Sequence, residues 1–198
     1  MTAYQKIILG LFAAFFLWSA VGPSNRAVWL LENLGVIVFT PFLVEFARRG
    51  KLSSISYTML FVFLALHMVG AHYTYEKVPF GEALGRAFGS ERNLYDQFVH
   101  FSFGLLATYP LHEFFIRTWQ ARAFWGYAVP FIFIMALAAG YEVAEWAAAF
   151  ILHPAESAGF LGSQGDFWDT QKDMAAAGAG ALVALFIASF FFRKDGLR

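Results

Sequence analysis

Gln164-Gly-Asp-Phe-Trp-Asp-Thr-Gln-Lys-Asp173 is a very polar stretch that runs straight into the apolar segment Met174 to Phe192. With a helix beginning near Phe167, Asp166, Asp169 and Asp173 fall at i, i+3 and i+7 and share one face. Three carboxylates on one stripe repel each other. At the mouth of a membrane helix such a cluster persists only if a cation neutralises it or water solvates it. The first alternative is a binding site, the second a wet helix end.

The membrane itself is read from composition. Of 198 residues, 59% are hydrophobic, 20% aromatic and 14% charged, a balance foreign to a soluble domain of this size. Lys plus Arg and Asp plus Glu each total 14, so net charge points to no nucleic-acid partner. The absence of cysteine excludes disulfides, thiolate catalysis and Fe–S or Cys-zinc sites.

Outward from the polar stretch, the chain divides into apolar runs near the ~20 residues of a spanning helix. The first, 4–21, stops at Gly22-Pro23 and lacks a small-residue cleavage site, so a retained span is expected rather than a removed signal peptide. Runs at 27–46 and 54–72 follow, then a polar connection from Tyr73 to Arg92 with room for a short interfacial helix. Further runs cover 93–119, 124–152 and 167–192. The expected fold is all-α: a polytopic membrane protein with six transmembrane helices in a single bundle, one domain over 1–198. Trp18, Trp29, Trp146 and Trp168 fall near one boundary and Trp119 and Trp125 near the other, as an aromatic belt requires. The small residues Ala175–Ala181 allow close helix packing.

Basic residues set the orientation. Lys6, Arg48, Arg49, Lys51, Arg117, Arg122, Arg193, Lys194 and Arg198 fall on the side of the amino terminus, against Arg26, Lys77, Arg86, Arg92 and Lys172 on the other. The richer side marks the cytoplasm, so both termini are expected there, in the inner membrane of a bacterium.

This orientation gives the ionisable groups a common depth. His67 and His72 end the third span, Asp96 and His100 open the fourth, Glu142 and Glu145 close the fifth, and Asp166, Asp169 and Asp173 open the sixth. Glu32 adds an acid in the outer half of the second. Glu45, His112 and Glu113 lie instead toward the cytoplasmic ends. Asp96 and His100 are i, i+4 and Glu142 and Glu145 are i, i+3, so each pair faces one way. His67 and His72 are five apart, and both point inward only if the chain unwinds at Gly70. An intramembrane carboxylate costs about 2.5–3.5 kcal/mol at the bilayer centre, which convergence on a shared polar pocket offsets.

Imidazole and carboxylate ligands without thiolate suit Zn, Mn or Fe, and with more carboxylates Mg or Ca. The expected metal ligands are His72, Asp96, His100, Glu142 and Glu145. Asp169 or Asp173 is a further ligand or a catalytic base, and His67, Asp166 and Glu32 are further pocket residues. Plainer roles stay open for each. Asp96 and His100 could be a hydrogen-bonded pair, and Glu142 and Glu145 could pair with Lys172 or Arg92. Asp166 could cap the last helix, His67 could be a satisfied interior group, and His153 a solvated loop residue.

Four segments together resemble a known family: His67-Met-Val-Gly-Ala-His72-Tyr-Thr-Tyr, Asn93-Leu-Tyr-Asp96-Gln-Phe-Val-His100-Phe, Tyr141-Glu142-Val-Ala-Glu145-Trp and Gly165-Asp166-Phe-Trp-Asp169-Thr-Gln-Lys-Asp173-Met. These are similar to the YjdF-like family of bacterial inner-membrane proteins, whose function is unknown. More distantly, Asp96-x-x-x-His100-Phe, Glu142 and Asp169-x-x-x-Asp173 are similar to the motif order of VanZ-like membrane proteins, a family associated with glycopeptide (teicoplanin) resistance. Asp173 and Glu145 stand where Asn and Gln are usual there, and both differences add negative charge. Three functions are open: a metal-dependent enzyme on a lipid or lipid-linked envelope substrate, a non-catalytic transporter or binding protein for a cation or small molecule, and an assembly factor whose polar cluster only fixes helix register. Nothing in the sequence fixes an oligomeric state.

Overall fold

The computed structural model describes residues 1–50, 52–121, 124–150 and 164–192. His153, and with it Leu152 at the end of the expected fifth span, lies outside the described residues. The described chain is helical, with no strand: α1 (Ala3–Ala20), α2 (Arg26–Arg48), α3 (Ser54–Tyr73), a 3-10 turn (Tyr75–Lys77), α4 (Pro79–Ala87), α5 (Tyr95–Trp119), α6 (Phe124–Ala149) and α7 (Asp169–Phe192). α7 thus opens two residues after the expected Phe167.

Local chemistry sets the helix starts. Thr2 and Gln5 satisfy each other's backbone N–H groups in a capping box at α1. The Asn25 side chain accepts the Ala27 and Val28 N–H groups at α2, and Ser53 accepts that of Ser56 at α3. Pro41, Pro110 and Pro130 sit inside α2, α5 and α6, which membrane helices tolerate because neighbours re-satisfy the freed carbonyls.

Five helices, α1, α2, α3, α6 and α7, are long and apolar enough to cross a membrane. Large side chains such as Leu17, Leu34, Phe42, Ile132 and Phe186 stand exposed along them, the surface lipid requires. α5 has the length but carries Asp96, His100, His112, Glu113 and Arg117. It is also the most enclosed helix, packed against α3, α6 and above all α7. A helix walled by protein needs no apolar circumference.

The α5–α7 seam is set by glycines. A Cβ on Gly104 would stand 1.9 Å from the Ala177 carbonyl oxygen, and one on Gly180 would stand 2.1 Å from that of Phe101. The backbones touch, and the two helices run parallel with residues 101–105 beside 177–181. Ile134 and Ala138 of α6 close the third side, packing with Ala107, Ala177 and Ala181. The same register places the first turns of α5 against the first turns of α7.

α3 continues unbroken through Gly70, so the unwinding that would turn both histidines inward is absent; a Cβ at Gly70 would stand 2.6 Å from the Tyr75 ring. In a straight α3, His67 and His72 face different neighbours. α4 covers one end of α5, where the buried Asn93 side chain donates to the Val78 carbonyl at 2.9 Å and accepts from the Tyr95 N–H at 3.0 Å. Gly81 leaves room for it.

Candidate metal centre

At the end of the bundle where α5 and α7 begin, α5 presents Asp96 and His100, α6 presents Glu142 and Glu145, and α7 presents Asp169 and Asp173. His100, Glu142, Glu145, Asp169 and Asp173 are buried, and Asp96 is partly so. The His100 Nε2 stands 3.5 Å from Asp96 Oδ1 and 3.5 Å from Glu142 Oε1, too far for a hydrogen bond to either. One ligand atom from each of Asp96, His100 and Asp173 falls within a 4.8 Å group. Glu142 Oε1 and Asp173 Oδ1 are buried without a hydrogen-bond partner among the described residues. Glu145 lies within electrostatic range of Asp96, Glu32, Glu142 and Asp173.

These spacings are informative. Atoms bound to one ion at about 2.1 Å with tetrahedral angles sit about 3.4 Å apart. The 3.5 Å separations of His100 Nε2 from two carboxylate oxygens match that geometry.

The rim is different in kind. The Arg92 guanidinium donates through one nitrogen to Asp166 and through the other to Asp169, and Lys172 Nζ reaches the same Asp166 oxygen at 2.5 Å. Lys172 and the Trp168 N–H, both donating to Asp166, and the charge of Arg92 hold its carboxyl below the usual range. Burial works against the Arg92 charge, but its hydrogen bond to Asp169 and the charges of Asp169, Asp166 and Asp173 prevail and raise its pKa. Behind the rim, the Gln164 side chain brackets Asn93: Oε1 accepts its N–H and Nε2 donates to its carbonyl, both at 2.9 Å.

The alternative that Glu142 and Glu145 pair with Lys172 or Arg92 does not hold: Arg92 goes to Asp166 and Asp169 and Lys172 to Asp166, because Arg92 lies in the loop before α5 and meets the opening of α7 first. Asp166 does more than cap, although it also accepts the Trp168 N–H at 2.9 Å.

His72 stands apart from the cluster. Its Nδ1 donates to the Ser19 carbonyl at 3.0 Å, and its ring stacks on Trp18 of α1. His67 is satisfied at both nitrogens. Nε2 lies 3.0 Å from the Glu32 carbonyl, which only accepts, so Nε2 carries the proton and Nδ1 accepts from Tyr75 Oη at 2.6 Å. Glu32 is engaged too, its carboxylate accepting from Tyr141 Oη. The Tyr141 ring stands between His67 and His100, 6.5 Å and 6.0 Å from them centre to centre.

Tyr141 and Tyr75 had no site role in the sequence reading. Both tyrosines adjoin or belong to the segments that carry the family resemblance, and that adjacency was the available signal.

A multi-pass helical bundle with a buried His/Asp/Glu cluster at one end is the class of protein that fold and site define. The chain belongs to the family described as "Predicted membrane protein (DUF2238)", which it matches over residues 4–194. It is similar to inner membrane protein YjdF of Escherichia coli (strain K12), with 36% identity over 182 residues, 90% of this chain and 86% of that protein. No solved structure matches it significantly.

Proposed function

We propose that the chain is a six-span inner-membrane protein, one domain over 1–198 with both termini cytoplasmic. In this reading its periplasm-facing cluster binds a divalent metal ion and acts enzymatically on a lipid or lipid-linked envelope substrate. α5 is the sixth crossing: its 25 residues reach about 37 Å at 1.5 Å each, beyond the ~30 Å hydrocarbon core. The orientation follows from the excess of Lys and Arg on the side of the amino terminus. The name of the Escherichia coli relative supports the inner membrane.

Asp96, His100 and Asp173 are the metal ligands, with Glu142 completing the set. The observation that carries this is the 3.5 Å spacing of His100 Nε2 from two carboxylate oxygens, next to buried oxygens of Glu142 and Asp173 that lack a partner. A mixed imidazole and carboxylate set suits Zn, Mn or Fe better than Mg or Ca. A metal held there supplies Lewis acidity and a bound hydroxide at neutral pH. Glu145, near enough to feel the cluster and bound to no other side chain in it, is the proton acceptor. Asp169, tied to Arg92, positions the opening of α7. His67 drops out of the ligand set because both its nitrogens are hydrogen-bonded, and His72 because its ring lies on Trp18 with Nδ1 on the Ser19 carbonyl, apart from the cluster.

A transport reading needs a polar route to the opposite end. There Glu113 is taken by Ser53, Ser56 and Arg117, and the α5–α7 seam between the two ends leaves no room for a Cβ. The enzyme reading asks only for access from one side.

Elemental analysis of purified wild type beside a His100→Ala, Glu142→Ala double variant tests the centre. The expected result is near-stoichiometric metal in the wild type and its loss in the variant. Wild type without metal after mild purification and metal replenishment removes the reading.

A further inference from the structure

Between the cluster and α2 stands Tyr141. Its ring is edge-on to His100 at 6.0 Å and to His67 at 6.5 Å, centre to centre, and its hydroxyl donates to the Glu32 carboxylate of α2. Little else joins the two helices that carry this bond. Among the described residues α2 packs on α3, and its packing against α6 is marginal at most. Gly35 of α2 and Gly140 of α6 lie close to the bond in sequence, and a Cβ on either would meet nothing within 4 Å. Where α5 and α7 close main chain on main chain, α2 and α6 leave room. Tyr141 is half-buried, and Gly140 and Val143 beside it are exposed, so the ring reaches from the lipid-facing surface inward to His100.

The two ends of the bond are held differently. Glu32 is a fixed post: its carbonyl accepts from His67 Nε2 at 3.0 Å, and Tyr75 Oη holds His67 Nδ1 at 2.6 Å, which ties this turn of α2 to α3. Tyr141 turns about two side-chain torsions, and among the described residues its hydroxyl bonds to Glu32. An apolar side chain at position 32 would hold α2 in place without the cost of burying a carboxylate. What the carboxylate adds is a bond that can be broken and remade. Depth says what would pass. Glu32 lies six residues after Arg26, where α2 begins, about 9 Å along the axis and level with acyl chains rather than headgroups. The exposed side chains nearby, Leu34 of α2 and Leu137 and Val143 of α6, are apolar.

We propose, resting on the enzyme reading of the same cluster, that Tyr141 is a gate in its lateral wall, latched by Glu32, through which the acyl chain of a membrane-embedded substrate enters between α2 and α6. The substrate thus comes from the lipid and not from water. Breaking the latch frees the ring to turn away from His100, and the α2 backbone, held by His67, stays in place.

Photolabelling tests the gate without calling on a metal. The full chain is placed in nanodiscs with phosphatidylglycerol bearing an alkyl diazirine at mid-chain, whose photoproduct esterifies carboxylic acids, and the ester on Glu142 and Glu145 is measured by mass spectrometry. Tyr141→Phe keeps the ring and removes the latch, so it should raise that label about threefold or more, the fold-change of one interhelical hydrogen bond. Glu32→Ala should raise it as much, and Glu32→Gln, which still accepts from the hydroxyl, should stay near wild type. Only protein running as a single species on size exclusion is scored, and if Glu32→Ala does not fold, Tyr141→Phe decides. Label in Tyr141→Phe equal to wild type overturns the gate and leaves Tyr141 a packing residue. Label raised as much by Glu32→Gln as by Glu32→Ala overturns the latch. Raised label in Tyr141→Phe together with a metal-free wild type would keep the gate and remove the enzyme reading; stoichiometric metal with unchanged label would do the reverse.

Discussion

α5 carries a carboxylate near each end, Glu113 buried and Asp96 half-buried, and the two are treated in opposite ways. Toward its carboxyl end, Glu113 accepts from the Ser53 N–H at 2.8 Å, from the Ser56 hydroxyl at 2.5 Å and from Arg117 at 2.8 Å. Each oxygen is used, one of them twice, and the group ties the start of α3 to α5. Toward its amino end, Asp96 joins His100, Glu142 and Asp173 in a group where His100 Nε2 stands 3.5 Å from two carboxylates and one oxygen each of Glu142 and Asp173 has no partner among the described residues, although Glu142 also takes a side-chain hydrogen bond from Thr170. The two cations nearby are spent on the rim. Glu113 thus has the environment of a structural acid, and the other group the environment of a site. Burial alone does not separate them, since Glu113 and Glu142 are almost equally hidden, at 6% and 7% exposure. Their partners do.

The comparison can be broken at the seam. Gly180→Leu puts side chain into the Phe101 carbonyl and should cost about 3 kcal/mol or more by overpacking. Because the Glu113 contacts run between α3 and α5, the separation of α5 from α7 should strike the metal centre first, seen as lost metal content in whatever protein still runs as a single species on size exclusion. Glu113→Ala comes next. It strands the Ser53 and Ser56 donors and the Arg117 charge, and should destabilise by about 3 kcal/mol in detergent thermal unfolding, with metal content per folded molecule unchanged.

Asp173→Asn sharpens the contrast by reversing the sign. Removing a buried charge that faces Asp169 and Glu142 and is only partly offset by Arg92 should stabilise the metal-free protein by about 1 kcal/mol, while the rise in unfolding temperature on adding metal disappears. A destabilised metal-free Asp173→Asn protein would place Asp173 with Glu113 as a structural acid.

The smallest effect belongs to the rim and to pH. The carboxyl of Asp166 titrates below its ordinary 3.8, so its contribution is full above that value and is lost as pH falls through it toward the folded value. Wild type should lose stability between pH 5 and pH 3 by more than Asp166→Asn, in unfolding scans at both pH values. Equal losses would mean that the Arg92–Asp166–Lys172 contacts contribute nothing measurable.

Much of the fold was legible because lipid imposes length and hydrophobicity on each crossing. The helix bounds differ from the expected runs by a few residues at most where both are described. α5 was legible from its length, and its low apolarity is explained only by its enclosure, which hydropathy cannot register. Within the cluster, Asp96 and His100 were legible as an i, i+4 pair, and the parallel register of α5 and α7 brings Asp173 to them. His72 was misplaced because a five-residue offset turns it toward α1, and the sequence does not say which neighbour stands there. The partners of Arg92 stayed open because the reach of a loop residue follows no periodicity. Tyr141 and Tyr75 went unassigned because a tyrosine in a membrane segment looks like interface belt until its hydroxyl is seen bonded to Glu32 or His67.

The glycine seam makes one side of the cluster a fixed jaw. With main chain on main chain between α5 and α7, no rotamer change at the seam can widen the spacing of the two backbones that carry His100 and Asp173, and a thicker or thinner bilayer can tilt the pair only as one piece. Glu142 rides on α6, which meets Gly178 of this pair through the pliant thioether of Met135, whose sulfur lies 3.0 Å from where a Cβ would be. If the cluster takes an ion as proposed, adjustment to it falls to α6, the movable jaw, and an ion that is too large or too small is felt there first.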